Sequence, residues 1–205
     1  MENGRTERKR QAILTAARAA FLEHGYAGTS MDQIAAAASV SKQTVYKHFA
    51  DKDRLFESVI TGDISDAEQQ SRAVLDALPD SDDLATNLRV FARQHLATVT
   101  QPHLIRLRRV VIAAADRFPD LAGTWYANGP ERGAATLADR FASLAARGRL
   151  RVDDPQLAAQ HFNWLVLSIP LNRAMFRPAA EPFTPAELDH FADEGVRVFL
   201  AAYGA

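Results

Sequence analysis

"SVSKQTVYKHFADKDRLF" (residues 39–56) packs Lys42, Gln43, Thr44, Tyr46, Lys47 and His48 into a short stretch with little to bury. Within 42–49 only Val45 and Phe49 are aliphatic or purely apolar, four residues apart and so on one helical face. A helix with so narrow an inner stripe turns most of its surface outward, and that surface is rich in hydrogen-bond donors. Just upstream, "TSMDQIAAAA" (29–38) opens with Thr29 and Ser30 as N-cap candidates and buries Met31, Ile34 and Ala38. Two short helices, about 30–37 and 41–48, across a break at Ser39 and Val40 have the layout of a helix-turn-helix. Its second helix must bury one face in a bundle and present the other to a DNA major groove. Val40, Val45 and Phe49 point in, while Lys42, Gln43, Thr44, Tyr46 and Lys47 point out. The outward types suit base edges: Gln to adenine, Lys to guanine, the Thr methyl to thymine. Lys52 and the N-terminal Arg8, Lys9 and Arg10 suit phosphate, as do backbone N–H groups near Thr29. Tyr46 could equally be a core tyrosine with a wet hydroxyl, and His48 could cap the helix end.

Outward from this stretch, helical periodicity continues and strand alternation is almost absent. In "RKRQAILTAARAAFLEHG" (8–25), Ile13, Ala17, Ala20 and Phe21 share a face, and Gly25 is the stop. Asp51 caps a helix running to about Leu78, and "PDSDD" (79–83) reads as a loop. Helical segments follow at roughly 83–99, 102–117, 119–147 and 154–176, with Pro102, Pro119 and Pro155 in first-turn positions. Gly129-Pro130 should kink or divide the third of these, and Pro170 should bend the fourth. "RPAAEPF" (177–183) reads as a loop, and Thr184-Pro185-Ala186-Glu187 as a capping box that opens the last helix. The expectation is an all-α chain of about nine helices.

Composition narrows the function. The first 52 residues carry eight Lys/Arg against five Asp/Glu, and the rest 16 against 20, a basic head on an acidic body. No cysteine is present, so neither disulfides nor thiolate chemistry enter. The polar start "MENGRTERKRQ" does not resemble a signal peptide, and no stretch reaches the ~18 apolar residues of a membrane span, which points to the cytoplasm and to no membrane partner. The six histidines show no HxxxH pairing, and neither a glycine-rich phosphate loop nor a nucleophile elbow occurs. His190 with Asp193 and Glu194 has helical metal-ligand spacing, but such a turn is far more often a solvated acidic one. No cofactor, metal or catalytic residue is implied.

The segment "HGYAGTSMDQIAAAASVSKQTVYKHFADKDRLF" (24–56) resembles the DNA-binding head of the TetR family of bacterial transcriptional repressors. Gly25-Tyr26, Thr29-Ser30, Ile34-Ala35, Val40-Ser41, Thr44-Val45-Tyr46, His48-Phe49 and Lys52 carry the resemblance in order and spacing. Ser39 stands where the family commonly has glycine in the turn. The resemblance implies a DNA-binding domain over 1–52 and a helical effector-binding and dimerisation domain over 53–205. It implies DNA contacts from Thr29, Ser41, Lys42, Gln43, Thr44, Tyr46, Lys47, His48 and Lys52, on a palindromic double-stranded operator. Which of Lys42, Gln43 and Lys47 would read bases stays open.

Residues 107–162 more loosely resemble a C-terminal domain found in such regulators. "FNWLVLSIPL" (162–171) is apolar all round, too much for a helix with one solvent face. With the last helix, where Gly195 permits close approach, it is expected to form a two-fold homodimer interface. Phe91, His95, Phe118, Trp125, Tyr126 and Trp164 are aromatic candidates for the walls of an effector pocket, with His103 and Arg106 as polar handles. The alternative is a helical small-molecule-binding protein or enzyme in which the head is only a scaffold.

Overall fold

A computed structural model describes residues 2–76, 83–177 and 181–205. The helices are α1 (Glu2–His24), α2 (Met31–Ala37), α3 (Lys42–His48), α4 (Lys52–Asp76), α5 (Leu84–Val99), α6 (Pro102–Ala113), α7 (Pro119–Tyr126), α8 (Arg132–Ala146), α9 (Pro155–Phe176) and α10 (Pro185–Tyr203). A π-helical turn, Ala127–Glu131, joins α7 to α8, so residues 119–146 are helical throughout and the expected nine helical runs are present among the described residues. Pro130 lies inside that turn, where its missing N–H removes one rung of the α-helical ladder. Pro170 interrupts α9 less, and the helix continues through it. α1 begins six residues before the expected start, and α6 ends at Ala113, where a turn follows, rather than at 117. The expected loop at 79–83 falls on residues 79–82 outside the described residues, as does the expected end of α4 at Leu78; of the loop at 177–183, residues 178–180 lie outside and the described 177 and 181–183 are not helical. No described helix is long and apolar enough to cross a membrane.

The chain divides into two compact units, residues 1–66 with 106–125, and residues 67–105 with 126–205. The head read from the sequence as 1–52 lies wholly in the first, which also takes the start of α4 and most of α6 and α7. Its core joins Ile13, Ala17 and Phe21 of α1, Ile34 of α2 and Val45 of α3 to Leu55, Phe56 and Ile60 of α4. Leu107, Val110, Phe118 and Leu121 complete it. The second unit packs α5, α8, α9 and α10 around Phe91, Phe141, Phe162 and Phe199. Phe162 meets the other three rings at 5.2–5.8 Å, in stacked and edge-on geometries that suit the ring quadrupole.

Local chemistry sets the boundaries. Ser30 and Gln33 form a capping box on α2, and Thr184 and Glu187 form one on α10. Ser41, Asp51, Asp83 and Asp154 each accept a backbone N–H at the start of α3, α4, α5 and α9. α8 ends in a Schellman motif: Gly148 has φ +68°, its N–H bonds to Ala145 O and that of Arg149 to Leu144 O. α2 ends the same way, with Ser39 N–H on Ala36 O and Val40 N–H on Ala35 O, but the left-handed position holds Ser39 at φ +54°. A side chain there costs on the order of 1 kcal/mol, and it persists because the turn fixes α3 against α2.

Candidate nucleic-acid interface

Among the nine residues that the resemblance assigns to DNA, burial separates those on a surface from those inside. Val45 is fully buried and Phe49 nearly so, so the opposite face of α3 looks outward and carries Lys42, Gln43, Tyr46 and Lys47, all exposed. Tyr46 is 43% exposed and is therefore not a core tyrosine. Gln43 and Lys47 make no side-chain hydrogen bond or ion pair among the described residues. Lys42 is engaged: its ammonium lies 2.8 and 3.0 Å from the two carboxylate oxygens of Asp32 on α2. That hydrogen bond raises the Lys42 pKa, so the group keeps its charge.

The remaining five are tied to the fold. Ser41 accepts the Thr44 N–H at 3.1 Å, and the two hydroxyls are 2.8 Å apart. Thr44 and His48 are half-buried, and the N–H that caps the end of α3 is that of Phe49, bonded to Val45 O. Thr29 is turned inward. It is only 3% exposed, and its hydroxyl sits between the carbonyls of Gly25 (2.9 Å) and Ala20 (3.1 Å). Its side chain holds the end of α1 to the start of α2 and is not on the surface that meets solvent. Lys52 is half-buried with its ammonium 4.2 Å from the Tyr26 ring centroid, and burial lowers its pKa. Arg10 is similarly placed, its guanidinium 5.5 Å from the Phe49 ring.

A network behind this surface was not read from the sequence. The Tyr26 hydroxyl donates to Asp53, and Arg117 donates to both Asp53 oxygens, at 2.8 and 3.2 Å. The Arg117 guanidinium also lies 5.0 Å from the Tyr26 ring. The Tyr26 hydroxyl first, then Arg117, hold the Asp53 carboxyl below its ordinary pKa, while burial and Asp53 push Tyr26 up. Tyr26 was visible only as a motif residue, and Asp53 was not singled out. Nothing local announces a partner 64 residues away.

The effector candidates do not come together as one set in either unit. Arg106, Phe118 and Trp125 belong to the first unit, and Phe91, His95, His103, Tyr126 and Trp164 to the second. Phe118 is a core residue beside Tyr26 and Phe56, and Phe91 is a core residue stacked on His95 and Phe162. Trp125 is half-buried with the Arg108 guanidinium 5.9 Å from its ring. Tyr126 and Trp164 face solvent. Trp164 lies in a stripe along α9 with Leu157, Leu165, Ile169 and Phe176, all exposed, and Val198 of α10 is exposed too. Gly195 serves a contact within the chain, since a Cβ there would meet Leu165 O of α9 at 3.0 Å. Asp193 binds Arg93 of α5 in a two-pronged pair and Glu194 binds Arg197, so the acidic turn beside His190 is committed to ion pairs.

Residues 13–59 match the model of bacterial regulatory proteins of the tetR family, and residues 86–205 match the C-terminal domain of AefR-like transcriptional repressors. The chain belongs to the TetR family of bacterial transcriptional regulators. It is a DNA-binding regulator. A putative TetR-family regulator from Mesorhizobium loti is 42% identical, with a TM-score of 0.84 over 98% of this chain and 99% of that one. The flavonoid-responsive regulator FrrA is 33% identical, with a TM-score of 0.73 over 97% and 98%. Among curated relatives, the repressor AcnR of Corynebacterium efficiens is 43% identical over 47 residues, 23% of this chain and 25% of that protein. The chain matches between 25% and 33% of the length of such curated relatives.

Proposed function

We propose that this TetR-family regulator is a repressor that binds a palindromic operator as a homodimer and leaves it when a small molecule binds the helices beyond the head. The observation that carries the reading is the outer face of α3, where four exposed polar side chains surround no apolar residue. Gln43 and Lys47 are the base-reading residues in this proposal, because neither is tied to the fold. Lys42, held by Asp32, acts mainly on phosphate. Ser41, Thr44, His48 and Lys52 support the surface, with contacts to the DNA backbone where they reach it.

The exposed apolar stripe of α9, with Val198 of α10, supports dimerisation through the last two helices. Two recognition helices would then lie about one B-DNA turn (~34–36 Å) apart, or slightly more. To move the operator from mostly bound to mostly free, the effector must prefer the released form by roughly 5 kcal/mol. DNA must weaken effector binding by the same factor. Flavonoids are the first class to screen, since the regulator FrrA, named for its response to them, matches nearly the whole chain.

The test is selection of bound sequences from a random duplex library, followed by binding at several salt concentrations. A palindrome and a steep salt dependence support the reading. No enriched sequence from folded, dimeric protein sinks it. Lys47→Ala should relax one base position by ~1–3 kcal/mol if Lys47 reads a base, and lower the salt slope by about 1 if it meets phosphate only.

A further inference from the structure

The chain crosses between its two compact units three times: in α4 after Asp66, in α6 after Ile105, and after Trp125 in α7. α4, which begins at the boundary read from the sequence between 1–52 and 53–205, is one link. Residues 106–125 are a second link, because both their ends continue into the other unit while their middle is docked in the first.

The docking has two parts. Phe118 is buried, its ring centroid 5.1 Å from Tyr26 and 5.0 Å from Phe56. Next to it, Arg117 grips both oxygens of Asp53 and lies over the Tyr26 ring. The turn that presents them is tight. The N–H groups of Arg117 and Phe118 both bond to Ala114 O, at 3.1 and 2.9 Å, and Pro119 opens α7 immediately afterwards. The residues gripped frame the helix-turn-helix in sequence: Tyr26 precedes α2, and Asp53 and Phe56 lie in the first turns of α4, just after α3.

We propose that Arg117 and Phe118 are positioning residues for operator recognition, setting from the turn between α6 and α7 the orientation in which α3 is presented. The inference rests on the operator-binding reading. An apolar contact alone fixes a distance but leaves rotation about it. A guanidinium on both oxygens of a carboxylate is directional, and beside the buried ring it removes that rotation. Both partners of this pair are substantially exposed, Arg117 at 57% and Asp53 at 40%, so the pair adds little to stability. Its loss should therefore appear in DNA geometry rather than in folding.

The experiment uses the full-length protein and its selected operator, together with operators whose centre is one base pair longer or shorter. Arg117→Gln and Asp53→Asn should each lower the preference for the native spacing by about threefold to tenfold, with the melting temperature nearly unchanged. Arg117→Lys should restore part of it. Any general gain in affinity from neutralising Asp53 is common to all spacings and cancels in the ratio. Unchanged ratios in both variants, with wild-type protein still selecting its operator, overturn this inference alone. A wild-type protein that binds no duplex overturns the operator reading and this inference with it.

Discussion

Gly195→Ala offers a sharp test of the packing beneath the α9–α10 surface. Replacing an interior helical glycine by alanine ordinarily stabilises by about 1 kcal/mol, because the chain loses less entropy on folding. At Gly195 the added Cβ would lie 3.0 Å from Leu165 O, 3.0 Å from Val166 Cγ2 and 3.1 Å from Leu165 C. Two of those atoms are backbone of α9, and Val166 is fully buried in the core, so relief requires one helix to move from the other by a few tenths of an ångström. Overpacking of this kind costs ~1–3 kcal/mol, which outweighs the propensity gain and leaves a net loss of about 1 kcal/mol. Gly133→Ala is the control. It lies in the same unit, within the continuous helical run, and has nothing within 4 Å of its Cβ position. It should gain up to about 1 kcal/mol. Urea unfolding followed by circular dichroism at fixed protein concentration reads both, and the two variants should differ by roughly 2 kcal/mol. If Gly195→Ala were as stable as Gly133→Ala, the close approach of α10 to α9 would not be what the glycine is for.

Three further outcomes follow from particular contacts. Ser39→Gly should stabilise by roughly 0.5–1 kcal/mol in the same assay, and Gly148→Ala should destabilise by about as much or more, since both positions have positive φ. The Asp53 pair should show in the acid limb: its pKa is lowered on folding, so its contribution is complete above the ordinary carboxylate value near 4 and is lost as pH falls through the lowered one. The deficit of Asp53→Asn, small because the pair is exposed, should thus be constant above about pH 5 and shrink below pH 4; a deficit independent of pH would argue against the pair. Ile169→Glu, on the exposed stripe of α9, should shift sedimentation from dimer to monomer and weaken operator binding at least tenfold by loss of the second half-site; an unchanged dimer would move the interface elsewhere.

How much was legible varies by residue in ways the physics explains. The caps at Ser30, Asp51 and Thr184 were readable, because a cap is a contact over three residues. The inward pair Val45 and Phe49 was readable because four-residue spacing alone puts them on one face, and their burial then dictates that Gln43, Tyr46 and Lys47 look outward. The direction of Thr29 was not readable. A surface hydroxyl and one turned inward on Ala20 and Gly25 have the same sequence, and only the meeting of α1 with α2 distinguishes them. Phe91 and Phe118 were candidates for a pocket because aromatic type is compatible with either a core or a ligand wall.

By itself, then, the sequence determined the helical class, the turn chemistry, the family and the face of α3, since each depends on residues within a few positions of one another. Tertiary structure decided what depends on distant segments meeting. It put Arg117 on Asp53, Asp32 on Lys42 and α9 against Gly195, and it drew residues 106–125 into the unit that holds the head. Side-chain type states what a residue can bond to, but only the folded chain supplies the partner and removes the water that competes for it.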